Sequence, residues 1–159
     1  MKKIKKHENR AGIWIDQTKA VIVHIVSDGD PVIEKIKSDV ESKVRFPGES
    51  KVFARFGNAF ISDQEKKQHR QKNEREKYFG KIISLLQQTD FIYVFGPSDA
   101  RHELVNDLQK DPVLKNKFIK TEKADRLTDK QILQHVINYF AGENFLTEKK
   151  NLRKLVTNH

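Results

Sequence analysis

Phe91-Ile-Tyr-Val-Phe-Gly-Pro-Ser-Asp-Ala100 is the stretch from which the fold class is read. Its first five residues are all apolar or aromatic. The run is too short for a surface helix and too continuous for a strand with one wet face. Phe91–Phe95 is therefore expected to be buried on both faces, as strands are in the parallel part of an α/β sheet. Gly96 and Pro97 end it. Ser98 is placed to cap a helix whose apolar residues Ala100, Leu104, Val105 and Leu108 recur at helical spacing. A strand passing through a tight turn into a helix is half of a βαβ unit.

Upstream, Ala11–Asp16 and Ala20–Val26 read as strands joined by the turn Asp16-Gln-Thr-Lys19. Ser27-Asp-Gly-Asp-Pro31 is a second turn. Val32–Val40 alternates with mixed faces, as at a sheet edge. Three strands with short turns predict an antiparallel meander. Glu41–Ala59 shows no period and holds Pro47, Gly48 and Gly57; a loop of this length in a compact domain is functional or disordered. Ser62-Asp-Gln-Glu65 has the form of a capping box, so a long helix is expected from there to about Gln88. Its first half, Gln64–Lys77, has no apolar residue, whereas Tyr78, Phe79, Ile82, Ile83, Leu85 and Leu86 form a core-facing stripe.

Downstream, Asp111-Pro112 ends the helix after Ser98, and Lys117–Thr121 is a short strand. Thr128-Asp-Lys-Gln131 is a second capping box; its helix shows Ile132, Val136, Ile137 and Phe140, and Gly142 stands where a left-handed terminal residue belongs. Residues 1–10 read as a basic N-terminal arm, 11–142 as the folded domain, and 143–159 as a basic C-terminal tail with a further amphipathic turn or two.

The chain has 159 residues, enough for one domain with a proper core. Cysteine is absent, which removes disulfides and thiolate metal sites and suits the cytoplasm. No apolar run reaches the roughly 18 residues of a membrane span, and no apolar segment follows the charged N-terminus as in a secretory signal. Thirty-one Lys and Arg face 22 Asp and Glu, a net charge of +9. Such a balance favours polyanionic partners. The excess is local: five basic residues to one acid in 1–10, four to two in 41–59, seven to four in 63–81.

Two segments, Phe95-Gly-Pro-Ser-Asp-Ala-Arg-His-Glu-Leu104 and Ala124-Asp-Arg-Leu-Thr-Asp-Lys-Gln-Ile132, resemble the middle domain of archaeal and eukaryotic class-1 peptide release factors and of Pelota. They are more similar still to small bacterial single-domain proteins grouped with it as translational machinery components. The resemblance runs from about Gly12 to Phe140. It implies a ribonuclease-H-like three-layer α/β sandwich with a mixed five-stranded sheet: a meander of three strands, then two parallel strands. It also implies a translation-related, ribosome-bound role. In release factors the loop before the long helix carries Gly-Gly-Gln. The corresponding stretch here is Pro47-Gly48-Glu49-Ser50, and a carboxylate has no amide donor. Peptidyl-tRNA hydrolysis is accordingly not expected, and decoding and GTPase-partner domains are not expected either.

The site expected from the residues is a phosphate-binding surface. Arg45, Lys51, Arg55, Lys66, Lys67, Arg70 and Lys72 would contact RNA phosphates without reading sequence. Phe46, Phe53 and Phe56 would stack on unpaired bases or pack on the domain. The partner expected is the ribosome or a structured RNA, with no cofactor, no metal, no membrane and no small-molecule substrate. A second reading is a Mg²⁺-dependent nuclease built on Asp16, Asp99 and Glu103. A third is a protein-interaction module whose loop docks on a partner chain. His7, His24, His69, His102, His135 and His159 show no metal-ligand spacing, and Ser98 reads as a helix cap or as a phosphate contact.

Overall fold

The computed structural model describes residues 8–26, 29–38 and 57–157. Strands β1 (Arg10–Ile15), β2 (Lys19–Ile25) and β3 (Val32–Lys37) form the expected antiparallel meander. Helix α1 (Gly57–Leu85) leads into β4 (Phe91–Gly96), which lies parallel to β1. Helix α2 (Ala100–Lys110) and a 3₁₀ turn (Leu114–Asn116) lead to β5 (Phe118–Lys123), parallel to β4. Helices α3 (Asp129–Ala141) and α4 (Glu143–Thr157) follow. The sheet order is β3-β2-β1-β4-β5, with β2 alone running against the rest. This is the ribonuclease-H-like sandwich.

The central strand behaves as its composition demands: Ile92, Tyr93, Val94 and Phe95 are all buried, and alternate residues enter different cores. Ile92 and Val94 join Ile13, Ile15 and Ile22 beneath α1 and α2, where Phe79, Ile82, Leu86, Leu104 and Leu108 close the layer. Tyr93 and Phe95 join Trp14, Val21 and Val23 beneath α3 and α4, with Ile132, Val136, Phe140 and Phe145. Gly12 lets α3 come down onto β1: a Cβ there would stand 2.3 Å from Val136 Cγ2. Gly96 serves β1 and β4 similarly, since its Cβ would meet the Ile15 carbonyl oxygen at 2.1 Å.

Several local expectations are corrected. Helix α1 begins at Gly57, so Ser62-Asp-Gln-Glu65 lies inside it and is no cap. The residue at the start of α2 is Asp99, without a side-chain cap bond; Ser98 Oγ accepts only a long bond, 3.4 Å, from the Ala100 N–H. Gly142 is extended (φ −76°, ψ 155°), because α4 starts at the next residue and needs no left-handed reversal. Thr128 is the cap expected: its Oγ1 accepts from the Gln131 N–H at 3.3 Å, and Gln131 Oε1 accepts from the Thr128 N–H at 2.9 Å. The stretch 143–157 is helical, and Phe145 within it is fully buried.

Candidate nucleic-acid interface

Helix α1 divides where its composition changes. Its 29 residues span about 43 Å at about 1.5 Å each. The apolar end crosses beneath the sheet from Tyr78, whose hydroxyl donates to the Asp16 carbonyl oxygen at 3.3 Å, through Ile82, and Leu86, just past its last residue, continues the buried stripe. Asp16 follows the last residue of β1, so the polar half of α1 leaves the domain past the sheet's carboxyl end. From Asp63 to Arg70 every side chain is exposed. A helix lying on a body would bury one residue in every three or four; here none of the eight is covered. Contact resumes at Arg75, whose Nε lies 3.5 Å from Glu103 Oε2 on α2.

Lys66, Lys67, Arg70 and Lys72 are thus exposed, and among the described residues none of them forms an ion pair. At about 100° per residue, Lys66, Arg70, Lys77 and Lys81 fall within about 60° of one another, on the side away from Tyr78, Ile82 and Leu86. Asp63 falls within this stripe and Glu74 lies beside it, and both lower its field. Arg45, Phe46, Lys51, Phe53, Arg55 and Phe56, together with Glu49, lie outside the described residues.

The three carboxylates of the nuclease reading are each placed by local structure. Asp16 Oδ1 accepts from the Thr18 N–H (2.8 Å), the Thr18 hydroxyl (2.9 Å) and the Lys19 N–H (2.8 Å), which shapes the β1–β2 turn. Asp99 is exposed at the start of α2, where negative charge suits the helix. Glu103 faces Arg75. No group of three His, Cys, Asp or Glu among the described residues could hold a metal ion.

A second constellation lies on the opposite layer, over β5, in a cleft of about 440 Å³. Strand β4 contributes Tyr93, β5 Lys120 and Glu122, α3 His135, Asn138 and Tyr139, and α4 Thr147 and Glu148. Tyr93 Oη donates to Glu122 Oε2 at 2.7 Å and lies 3.0 Å from His135 Nε2. A phenol has one hydrogen, and here the carboxylate takes it, so Nε2 is the donor to Oη. Lys120 Nζ donates to Glu148 Oε1 at 3.3 Å, and Tyr139 Oη to Glu148 Oε2 at 3.5 Å. The Tyr93 and Tyr139 rings stack with centroids 3.9 Å apart. Burial raises both phenols well above their ordinary value, with Glu122 and Glu148 adding to it.

The cleft was not legible as a site from spacing. Two weak signals exist: Lys120 and Glu122 alternate on one face of β5, and His135, Asn138 and Tyr139 form a polar i, i+3, i+4 stripe beside the apolar stripe of α3. The strand pairing that brings Tyr93 opposite Lys120 joins them.

No protein-family model matches the chain, and no curated protein matches it in sequence. Solved structures similar to it include Pelota of Thermoplasma acidophilum (14% identity, TM-score 0.48, covering 92% of this chain and 36% of that one). Pelota of Archaeoglobus fulgidus is similar at 14% identity and TM-score 0.47, covering 94% of this chain and 38% of that one. The archaeal translation termination factor aRF1 is similar at 14% identity and TM-score 0.39, covering 94% of this chain and 42% of that one. These are among the families whose middle domain the two quoted segments resemble. The chain spans between about a third and two-fifths of the length of these structures.

Proposed function

We propose that this protein is a non-catalytic, translation-related RNA-binding protein. It holds the phosphates of ribosomal RNA, or of another structured RNA, on the polar half of α1 and on the basic loop before it. One observation carries this: eight consecutive exposed residues, Asp63–Arg70, begin a basic helix segment whose Lys66, Lys67, Arg70 and Lys72 form an ion pair with no acid among the described residues. Unpaired cations on a projecting rod suit a polyanion, because each phosphate contact releases condensed counterions. The motif resemblance selects the ribosome as that polyanion and the cytoplasm as the place. Glu49, near where the release factors need their glutamine, argues against peptidyl-tRNA hydrolysis.

The test is RNA binding and co-sedimentation with ribosomes at two ionic strengths. Replacing Lys66, Lys67, Arg70 and Lys72 by Gln should weaken binding to all RNA sequences alike. The log–log salt slope should fall in magnitude by up to about 3.6 for duplex RNA, near 0.9 per lost contact. Unchanged affinity removes the helix from the interface; binding that survives moderate salt points to a protein partner instead. RNA cleavage dependent on Mg²⁺ and lost in Asp16→Asn would replace this function with the nuclease one.

A further inference from the structure

We infer that the cleft over β5 binds an alkylammonium or guanidinium group, with the Glu122 carboxylate as its anionic acceptor. In a chain of net charge +9, this cleft sets two carboxylates, Glu122 and Glu148, against one lysine, Lys120. It is therefore a local reversal of the protein's field, separate from the phosphate-binding helix on the other layer.

Glu122 is held ready. An exposed glutamate on an edge strand ordinarily samples many rotamers. This one is fixed by a buried support: Tyr93, 1% exposed, donates to Oε2, and His135 Nε2 donates in turn to the Tyr93 oxygen. Buried polar relays are costly to build, and they orient a charge at low entropy when a ligand arrives. Glu122 Oε1 has no hydrogen-bond partner among the described residues.

The cleft already accommodates the chemistry proposed for its ligand. The Lys120 ammonium lies 3.3 Å from Glu148 Oε1, and Tyr139 donates to the other oxygen of Glu148. An amine entering beside Glu122 would find a second carboxylate of the same kind, with Asn138 and Thr147 on the walls. A divalent metal is a poor alternative, because no three-ligand group stands among the described residues. The cationic group has two possible sources, a free polyamine or the basic side chain of a partner protein.

The experiment is an NMR titration of the full chain at constant ionic strength, following the ring signals of His135 and Tyr139. Spermidine and N-acetyl-arginine amide are the probes, and Mg²⁺ is the control. Saturable shifts with either probe, weakened about tenfold or more by Glu122→Gln, support the site; the probe that saturates identifies the source. Tyr93→Phe keeps the ring and removes the orienting hydroxyl, so it should weaken binding without altering Glu122 itself. Shifts that do not saturate, that persist in Glu122→Gln, or that Mg²⁺ reproduces would overturn the proposal. Thermal melting of Glu122→Gln beside the wild type verifies that the variant folds. No RNA enters this titration, so its failure would leave the phosphate-binding function standing.

Discussion

The Tyr78 hydroxyl donates to the carbonyl oxygen of Asp16 across 3.3 Å, joining the middle of α1 to the end of β1. That bond marks where the buried part of the helix begins; beyond it Arg75 still reaches Glu103 of α2. Below it, Phe79, Ile82 and Leu86 are buried; above it, Lys77 and then Asp63–Arg70 are exposed. Among the described residues nothing covers Asp63–Arg70, so the order of that stretch rests on propensity and on continuity with the buried half.

Because α1 begins at Gly57, Ser62 is an interior helix residue. Ser62→Ala should therefore change stability by less than about 0.5 kcal/mol, in the favourable direction if at all. A true cap would lose about 1 kcal/mol. Urea unfolding of the two proteins decides between them.

Gly12 and Val136 are coupled by contact. Gly12→Ala places a Cβ 2.3 Å from Val136 Cγ2 and 2.7 Å from Cγ1, and overpacking of this kind costs about 1–3 kcal/mol. Shrinking the partner with Val136→Ala should recover part of that loss, so the double variant should be more stable than the sum of the single effects allows. Additive single effects would show that α3 shifts as a body.

Phe145 ties the last helix to the core. Its ring is fully buried, edge-on to Phe91 (5.3 Å) and Phe140 (5.0 Å), with the Arg10 guanidinium 5.0 Å from its centroid. Phe145→Ala should cost about 3–5 kcal/mol. A loss under about 0.5 kcal/mol, the figure for ordinary surface positions, would mean that 143–157 is a dispensable tail.

All three tyrosines, Tyr78, Tyr93 and Tyr139, have phenols pushed upward by burial, with Asp16, Glu122 and Glu148 as the respective acids that add to it. Below about pH 10 the folded and unfolded chains both keep these protons. Above it the unfolded chain releases them and the folded chain does not, so stability falls as pH rises. Phenolate absorbance should stay low until the protein unfolds, and then appear together with the loss of circular dichroism. Tyr78→Phe should lessen the steepness of that alkaline fall by about one proton. A phenolate signal near pH 10 from intact protein would contradict the burial of these rings.

Local chemistry decided much of this protein in advance. Five apolar residues from Phe91 gave no choice but a strand buried on both sides, and Thr128 with Gln131 closed a capping box, because each effect reaches only a few residues along the chain. The unbroken polarity of Gln64–Lys77 likewise marked a helix face with no core to join. Tertiary structure decided the rest. Ser62 lost its cap role because the helix continues upstream of it, and Gly142 stayed extended because α4 begins beside it. The cleft gathers side chains from Tyr93 to Glu148, 55 positions apart, and no spacing rule spans that distance. Only parallel pairing of β4 with β5, and the descent of α3 and α4 onto the same face, bring a phenol, an imidazole and two carboxylates within reach of one another. Hydrogen bonds and charges act over a few ångströms of space, whatever the separation in sequence.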